Sequence, residues 1–352
     1  MRQGNRYLSL RRRWSGCRRR SRQHPPMARR SSKRAKGSCR EFRSGFIALA
    51  GPANAGKSTL LNALVGSKIS IVSPKEQTTR NRILGIKTLA DAQMIFVDTP
   101  GFMARHYRGE LARYIGEVVR TSAADADQVV LVLDALRLLA NEKEPLRVRA
   151  AANEKGIHRI AVIAVNKIDR VDKRRLLPLL ARLADLFSGW TAQDGAPDLV
   201  PVSALTGDGI AELERIIAGK LAPGPAYFPA DMLTDQSKEF IAAEVVREKL
   251  MLKLGEELPY FVAVQVEGMA VEKKTLHIKA VILVDKPSQK AIVIGRNGMK
   301  LKAVGEAARK DLERFCGGPI YLELFVRVEP KWTMTKRGIS KAGYGHIDFN
   351  RY

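Results

Sequence analysis

Cysteine is nearly absent from this 352-residue chain: only Cys17, Cys39 and Cys316 occur, with no C-x-x-C pair and no histidines at zinc spacing. That excludes a disulfide scaffold and a structural zinc site, and it points to free thiols in a reducing compartment. Long hydrophobic runs are also missing, and none approaches the roughly 20 residues that a membrane span requires. No internal repeat occurs, so solenoid and propeller architectures are out. Acidic residues are lacking in one place. Residues 1–40 hold 15 Lys or Arg and no acid, whereas residues 41–230 hold 25 basic and 20 acidic residues and residues 231–352 hold 21 and 16. The net charge of +25 therefore comes mostly from the leading segment. Residues 1–41 have too few apolar side chains to pack and are expected to be a disordered extension. Such a tail suits RNA or an anionic membrane surface. It equally fits an unprocessed targeting peptide, or a misplaced start with Met27 as the true initiator.

What is present is alternation. Between residues 46 and 221, β-rich apolar runs (46–50, 83–89, 94–97, 129–133, 160–165 and 199–202) are separated by helical patterns such as 57–65, 109–123, 173–187 and 210–221. This predicts an α/β domain over 42–222, with a mainly parallel sheet, helices on both faces, and ligands at the carboxyl ends of the strands. A Pro-rich stretch, 223–231, reads as a semi-stiff linker. An α+β domain is expected over 232–330. Its helix around 235–252 would bury Phe240, Ile241, Val245 and Leu252. Strand runs at 260–267 and 275–285, a helical pair broken at 295–298 and a last strand at 320–328 follow. Residues 331–352 read as a C-terminal tail.

The motifs fall at the predicted strand ends. Gly51-Pro52-Ala53-Asn54-Ala55-Gly56-Lys57-Ser58 follows the first strand run and leads through Thr59 into a helix. In that context G-x-x-x-x-G-K-S means phosphate binding: backbone N–H groups and the helix N-terminus face the anion. Lys57 would reach the β- and γ-phosphates, and the Ser58 hydroxyl would take a Mg²⁺ position. Asp98-Thr99-Pro100-Gly101 closes the third strand, 41 residues after Lys57. Asp98 there can hold a Mg²⁺-bound water, and the Gly101 N–H can face a γ-phosphate. Asn166-Lys167-Ile168-Asp169 points to guanine. The Asp169 carboxylate can accept from N1–H and the exocyclic amine, a donor pair that adenine lacks. Asn166 would bond the base edge, and the Lys167 stem would lie against the ring. The bland alternative is a strand-to-helix turn with Asp169 as N-cap. Ser203-Ala204 could offer an N–H to the guanine oxygen. In Gln77-Thr78-Thr79-Arg80, a threonine hydroxyl can complete Mg²⁺ coordination, and Thr79 is preferred to Thr78. A P-loop metabolic kinase fits poorly, because the guanine motif is present and a small-substrate site is not.

In this order the motifs resemble the translation-factor-like branch of the GTPases. By that resemblance Asn54 stands where potassium-dependent relatives hold a monovalent cation. Phe102 stands where Ras-like enzymes have the glutamine that orients water. A phenyl ring cannot orient water, although it can pack in the core. Catalysis is therefore expected to rest on Lys57, Thr79, Gly101 and the Asn54 cation, or on a partner. Further on, Ile292-Val293-Ile294-Gly295-Arg296-Asn297-Gly298-Met299-Lys300-Leu301-Lys302 looks like the GXXG loop of a type II KH domain. Gly295, Arg296, Asn297, Gly298, Lys300 and Lys302 are its candidate RNA contacts.

A GTPase followed by a type II KH domain resembles the Era family, over about residues 46–328. The resemblance implies slow hydrolysis of GTP to GDP with Mg²⁺ and K⁺, and binding near the 3′ end of 16S rRNA. It also implies GTP-gated action on the 30S subunit, a monomer, and a cytoplasmic location with partial inner-membrane association. If the extension is a transit peptide, the location is instead the mitochondrial matrix. A membrane-surface or signalling GTPase whose KH-like domain binds protein is the second reading. The chain departs from the family at the extension before Arg43. It departs again at Thr333-Met334-Thr335-Lys336-Arg337, where the family usually carries an acidic pair.

Overall fold

An uninterrupted apolar strand needs cover on both faces, and the first half of the chain supplies it. The computed structural model describes residues 41–102, 107–157, 159–190 and 196–344; the expected disorder of residues 1–40 lies outside this range. Six strands form one sheet: β1 (Arg43–Ala50), β2 (Ile83–Thr88), β3 (Ala92–Asp98), β4 (Gln128–Asp134), β5 (Ile160–Asn166) and β6 (Asp198–Pro201). Their order is β2-β3-β1-β4-β5-β6, and every pair is parallel except β2 with β3. β3 and β4 are buried at every position. On one face lie α1 (Lys57–Val65) and α6 (Ile210–Lys220). On the other lie α2 (Gly109–Ala124), α3 (Ala135–Ala140), α4 (Glu144–Glu154) and α5 (Leu176–Leu186). The register sets Leu49 beside Asp98 and Asp134 beside Asn166, so the strand-end motifs share one edge of the sheet.

The Pro-rich stretch lies along the sheet. Ser44 Oγ donates to the Pro225 carbonyl (2.7 Å), and the Gln93 carboxamide brackets Phe228 by accepting its N–H (3.0 Å) and donating to its carbonyl (2.8 Å). Phe228 and Met232 cover Leu84, Ile86, Ile95 and Val97. Proline has no N–H to lose there, and the apolar outer face of β2 and β3 needs a cover.

The second half runs α7 (Lys238–Lys253), β7 (Ala263–Glu272), β8 (Thr275–Val284), α8 (Pro287–Ile294), a 3₁₀ turn (Arg296–Gly298), α9 (Met299–Cys316) and β9 (Ile320–Val328). Its sheet order is β7-β8-β9, antiparallel and then parallel. This is the type II KH order. The expected buried face of α7 needs correction. Ile241 and Val245 are buried and Phe240 is half-buried, but Leu252 is 48% exposed. Glu244, Arg247 and Glu248 are buried in its place, because α7 also faces the first half of the chain, and the two halves form one compact unit. Beyond residue 330 the chain stays folded as far as Tyr344. Trp332 is fully buried and stacks on Tyr344, next to Leu111 and Ile115 of α2. A short helix, α10 (Lys336–Lys341), lies between them in sequence, capped by Thr335. Among the described residues no helix is long and apolar enough to cross a membrane.

Candidate nucleotide site

The loop from Gly51 to Gly56 joins the buried end of β1 to the first turn of α1. Gly56 takes a left-handed conformation, and a Cβ there would lie 2.3 Å from Asn166 Nδ2. At Gly101 a Cβ would meet the Ala53 backbone at 2.6 Å. Both neighbouring motifs therefore close directly onto the phosphate loop. Lys57 lies under it, donating from Nζ to the carbonyls of Gly51 (3.1 Å) and Pro52 (2.9 Å). Burial lowers its pKa to about 8, with the Asp98 charge opposing the shift.

The three expected metal ligands meet. Ser58 Oγ lies 2.6 Å from Asp98 Oδ2 and 2.8 Å from Thr79 Oγ1, and Thr79 Oγ1 reaches the same carboxylate oxygen at 3.3 Å. Thr78 turns away and donates to the Lys75 carbonyl. Ser70, which sequence patterning does not single out, adds a further hydroxyl on Asp98 Oδ2 at 2.8 Å. Asp98 is fully buried. Burial pushes its carboxyl up, against hydrogen bonds from Ser58, Ser70 and Thr79 and the charge of Lys57. Its Oδ1 is buried and has no partner. Two hydroxyls beside a carboxylate with one unpartnered oxygen suit a hard cation such as Mg²⁺, which takes oxygen ligands and keeps its waters.

At the expected base end the side chains take other partners. The Asn166 carboxamide donates to the Ala55 carbonyl (2.9 Å) and accepts from the N–H groups of Lys167 (2.8 Å) and Ala204 (3.0 Å). It ties the phosphate loop to the 203–204 loop instead of presenting itself to a base edge. The Ala204 N–H is likewise engaged, and the Ser203 N–H donates to the Asp208 carbonyl, so the expected N–H toward guanine is turned inward. Lys167 Nζ bonds the Asn54 carbonyl and Asp134 Oδ2, both at 2.7 Å. Asp169 is exposed, inside a 3₁₀ turn (Ile168–Arg170) that begins after Lys167. It caps no helix, and its Oδ1 accepts from Ser203 Oγ at 2.6 Å.

The segment from Lys68 to Arg80 connects this site to the KH half. Arg80, 1% exposed, donates to the carbonyls of Pro259, Tyr260 and Val262 and to the hydroxyls of Tyr107 and Tyr344. Arg247 pairs with Glu244 and donates to the Thr78 carbonyl at 2.6 Å. Glu248 accepts from Lys68 and from the Val72 N–H. The signal for this joint was the run of charges on an otherwise apolar helix. In the KH half, the loop between α8 and α9 leaves Arg296, Asn297 and Lys302 exposed and Lys300 half-buried. Gly295 and Gly298 flank it with φ of 73° and 75°. A cleft of 490 Å³ opens beside it between α9 and β9, lined by Leu301, Gly305, Arg309, Tyr321 and Leu324 among others.

Residues 46–167 match a family model described as a 50S ribosome-binding GTPase, and residues 257–333 match a KH domain. The GTPase Era of Desulfovibrio desulfuricans is 44% identical over 301 residues, which cover 83% of this chain and 94% of that protein. The chain belongs to the Era family. The GTPase Era of Nitrosomonas eutropha is 42% identical over 304 residues, covering 86% of this chain and 98% of its own. Two solved Era structures match at 35% identity, each with a TM-score of 0.75 and 86% of this chain covered. One is a variant of Aquifex aeolicus Era bound to GDP·AlF4⁻, matched over 100% of its length. The other is Era in complex with MgGDPNP and nucleotides 1506–1542 of 16S ribosomal RNA, matched over 99%. As an Era-family protein the chain is a GTPase.

Proposed function

We propose that the chain binds GTP through residues 51–59, 98–101, 166–169 and 203–204, and hydrolyses it slowly. On this reading its KH half binds the 3′ region of 16S rRNA during assembly of the 30S subunit. The observation that carries this is the meeting of Ser58, Thr79 and Asp98 at the phosphate loop, in one compact unit with an exposed, basic GXXG loop. The α1 N-terminus and the Lys57 charge hold the β- and γ-phosphates. Bound Mg²⁺ supplies positive charge to those oxygens. Ser58 and Thr79 would hold it through their hydroxyls, and Asp98 through water. Asp169 accepts the guanine donor pair once its carboxylate is released from Ser203. Asn54 is assigned to K⁺, in answer to the missing water-orienting residue at Phe102.

Thr79 is also what makes the site a switch. Its hydroxyl would reach the metal with the 68–80 segment placed as it is beside Ser58 and Asp98, and Arg80, the next residue, is anchored in the KH half. Nucleotide state thereby reaches the RNA-facing half. The related Era complex contains 16S rRNA nucleotides, which supports rRNA as the partner here. Co-sedimentation of the full chain with 30S subunits tests the reading: pelleting should be stronger with GTP than with GDP. Equal pelleting in both would remove the gating. The same reading puts the chain in the cytoplasm with peripheral association at the inner membrane, and vesicle flotation with and without residues 1–40 tests that association.

A further inference from the structure

Hydrolysis needs a group that orients the attacking water, and Phe102 cannot be that group. Its ring is 2% exposed and packs with Ala48, Leu131 and Leu133 in the core. Gln77 has the properties that Phe102 lacks. Its side chain is buried, at 4% exposure, yet neither Oε1 nor Nε2 has a hydrogen-bond partner. A buried carboxamide left in that condition is destabilising. The backbone is strained as well, with φ of 58° at a residue that is not glycine. It is nevertheless held firmly: Tyr107 OH donates to the Gln77 carbonyl (2.8 Å), and Arg80 Nε donates to Tyr107 OH (3.0 Å). Gln77 is among the residues that line the same pocket as Lys57, Ser58, Thr79 and Gly101. Strain and an unsatisfied buried amide at one residue of the pocket lining indicate a partner that is a ligand.

We propose that Gln77 is the catalytic residue that orients the attacking water. Nε2 donates to a γ-phosphoryl oxygen, and Oε1 accepts from the water. The water oxygen bonds to the γ-phosphorus as the bond to the β–γ bridging oxygen breaks. GDP leaves with the electron pair, and the water protons pass to the phosphate and to bulk solvent. A carboxamide can both donate and accept, which a phenyl ring cannot. This rests on the phosphate placement proposed above.

The test compares Gln77→Gly and Gln77→Glu with the wild-type full chain. Glycine relieves the positive φ, so Gln77→Gly should melt no lower than wild type and keep its affinity for GTP and GDP. Single-turnover hydrolysis should fall roughly tenfold to a hundredfold, and affinity for GDP·AlF4⁻ should fall by a similar factor. Gln77→Glu should lose the same, because it cannot donate to a phosphoryl oxygen. Hydrolysis and GDP·AlF4⁻ affinity within about twofold of wild type would overturn the proposal. An equal loss for GDP, GTP and GDP·AlF4⁻ would also overturn it, since that marks a packing role. Lys57→Ala separates the two readings: if it leaves GTP affinity intact, the phosphate placement itself is wrong. If it abolishes binding while Gln77→Gly still hydrolyses normally, only the Gln77 assignment fails.

Discussion

The loop before α1 and the loop before α9 each place a left-handed glycine at the start of a helix, Gly56 at φ 94° and Gly298 at φ 75°. Their surroundings differ entirely. Around Gly56 the structure closes in: Asn166 fills the space a Cβ would need, Lys57 is buried beneath, and Gly101 presses on Ala53. Around Gly298 a Cβ would meet nothing within 4 Å, and the neighbouring Arg296, Asn297 and Lys302 are exposed. Burial makes the first loop a site with a defined occupant. Its donors are fixed before the ligand arrives, and in low dielectric each contact counts for more. The open loop can only offer backbone and charge to a passing phosphate, with selectivity left to the adjoining cleft.

Four measurements sharpen or break that contrast. The largest effect is expected at the base end of the closed site. Asp169→Asn should weaken GTP by about 4 kcal/mol and be partly rescued by xanthine nucleotides, whose donor pattern is reversed. Unchanged GTP affinity by titration would remove Asp169 as the guanine reader.

Next comes the pair of glycines themselves. Gly56→Ala combines positive φ with a direct clash and should weaken nucleotide binding by about 3 kcal/mol. Gly298→Ala, strained but unobstructed, should cost about 1 kcal/mol of stability and leave GTP binding alone. Similar effects at both sites, by calorimetry and denaturation, would mean that enclosure is not what separates the loops.

The open loop should respond to charge more than to shape. Arg296→Asp combined with Asn297→Asp should lower affinity for the 3′ end of 16S rRNA by about 2 kcal/mol and flatten its salt dependence, with GTP affinity intact. Filter binding across a salt series checks this, and parallel salt slopes for the two proteins would exclude the loop as an RNA contact.

The smallest effect concerns the cation. Hydrolysis by wild type should be faster in K⁺ than in Na⁺ by about tenfold or less, and Asn54→Ala should abolish the difference. Equal wild-type rates in the two salts would leave Gln77 or an external partner as the source of catalysis.

Much of this architecture was readable from the chain. Alternating apolar runs specify a covered parallel sheet, and β9 and α1 begin and end where their patterns do. Of the two candidate threonines, Thr79 meets Ser58 and Asp98 while Thr78 donates to the Lys75 carbonyl. Less of the site was readable where a side chain has two plausible partners. Asn166 could as well meet a base as a backbone, and beside the adjacent Lys167 N–H its backbone partners, Ala55 and Ala204, come from loops more than 35 positions away in each direction along the sequence. Leu252 satisfies a helical stripe, but α7 touches two bodies, so its buried surface includes Glu244, Arg247 and Glu248. A single-stripe reading has no room for that.

Local residue choice already carries the geometry and chemistry of both glycine loops. Glycine where φ must be positive, lysine and serine at a helix start, and strand runs that place them on one edge are short-range properties. Tertiary packing sets which loop is enclosed, how the 68–80 segment is anchored through Arg80 to the KH half, and that the Gln77 carboxamide is buried without a hydrogen-bond partner. Those are properties of packing between distant segments. A local pattern of residues encodes the shape of a turn, but not what comes to rest against it.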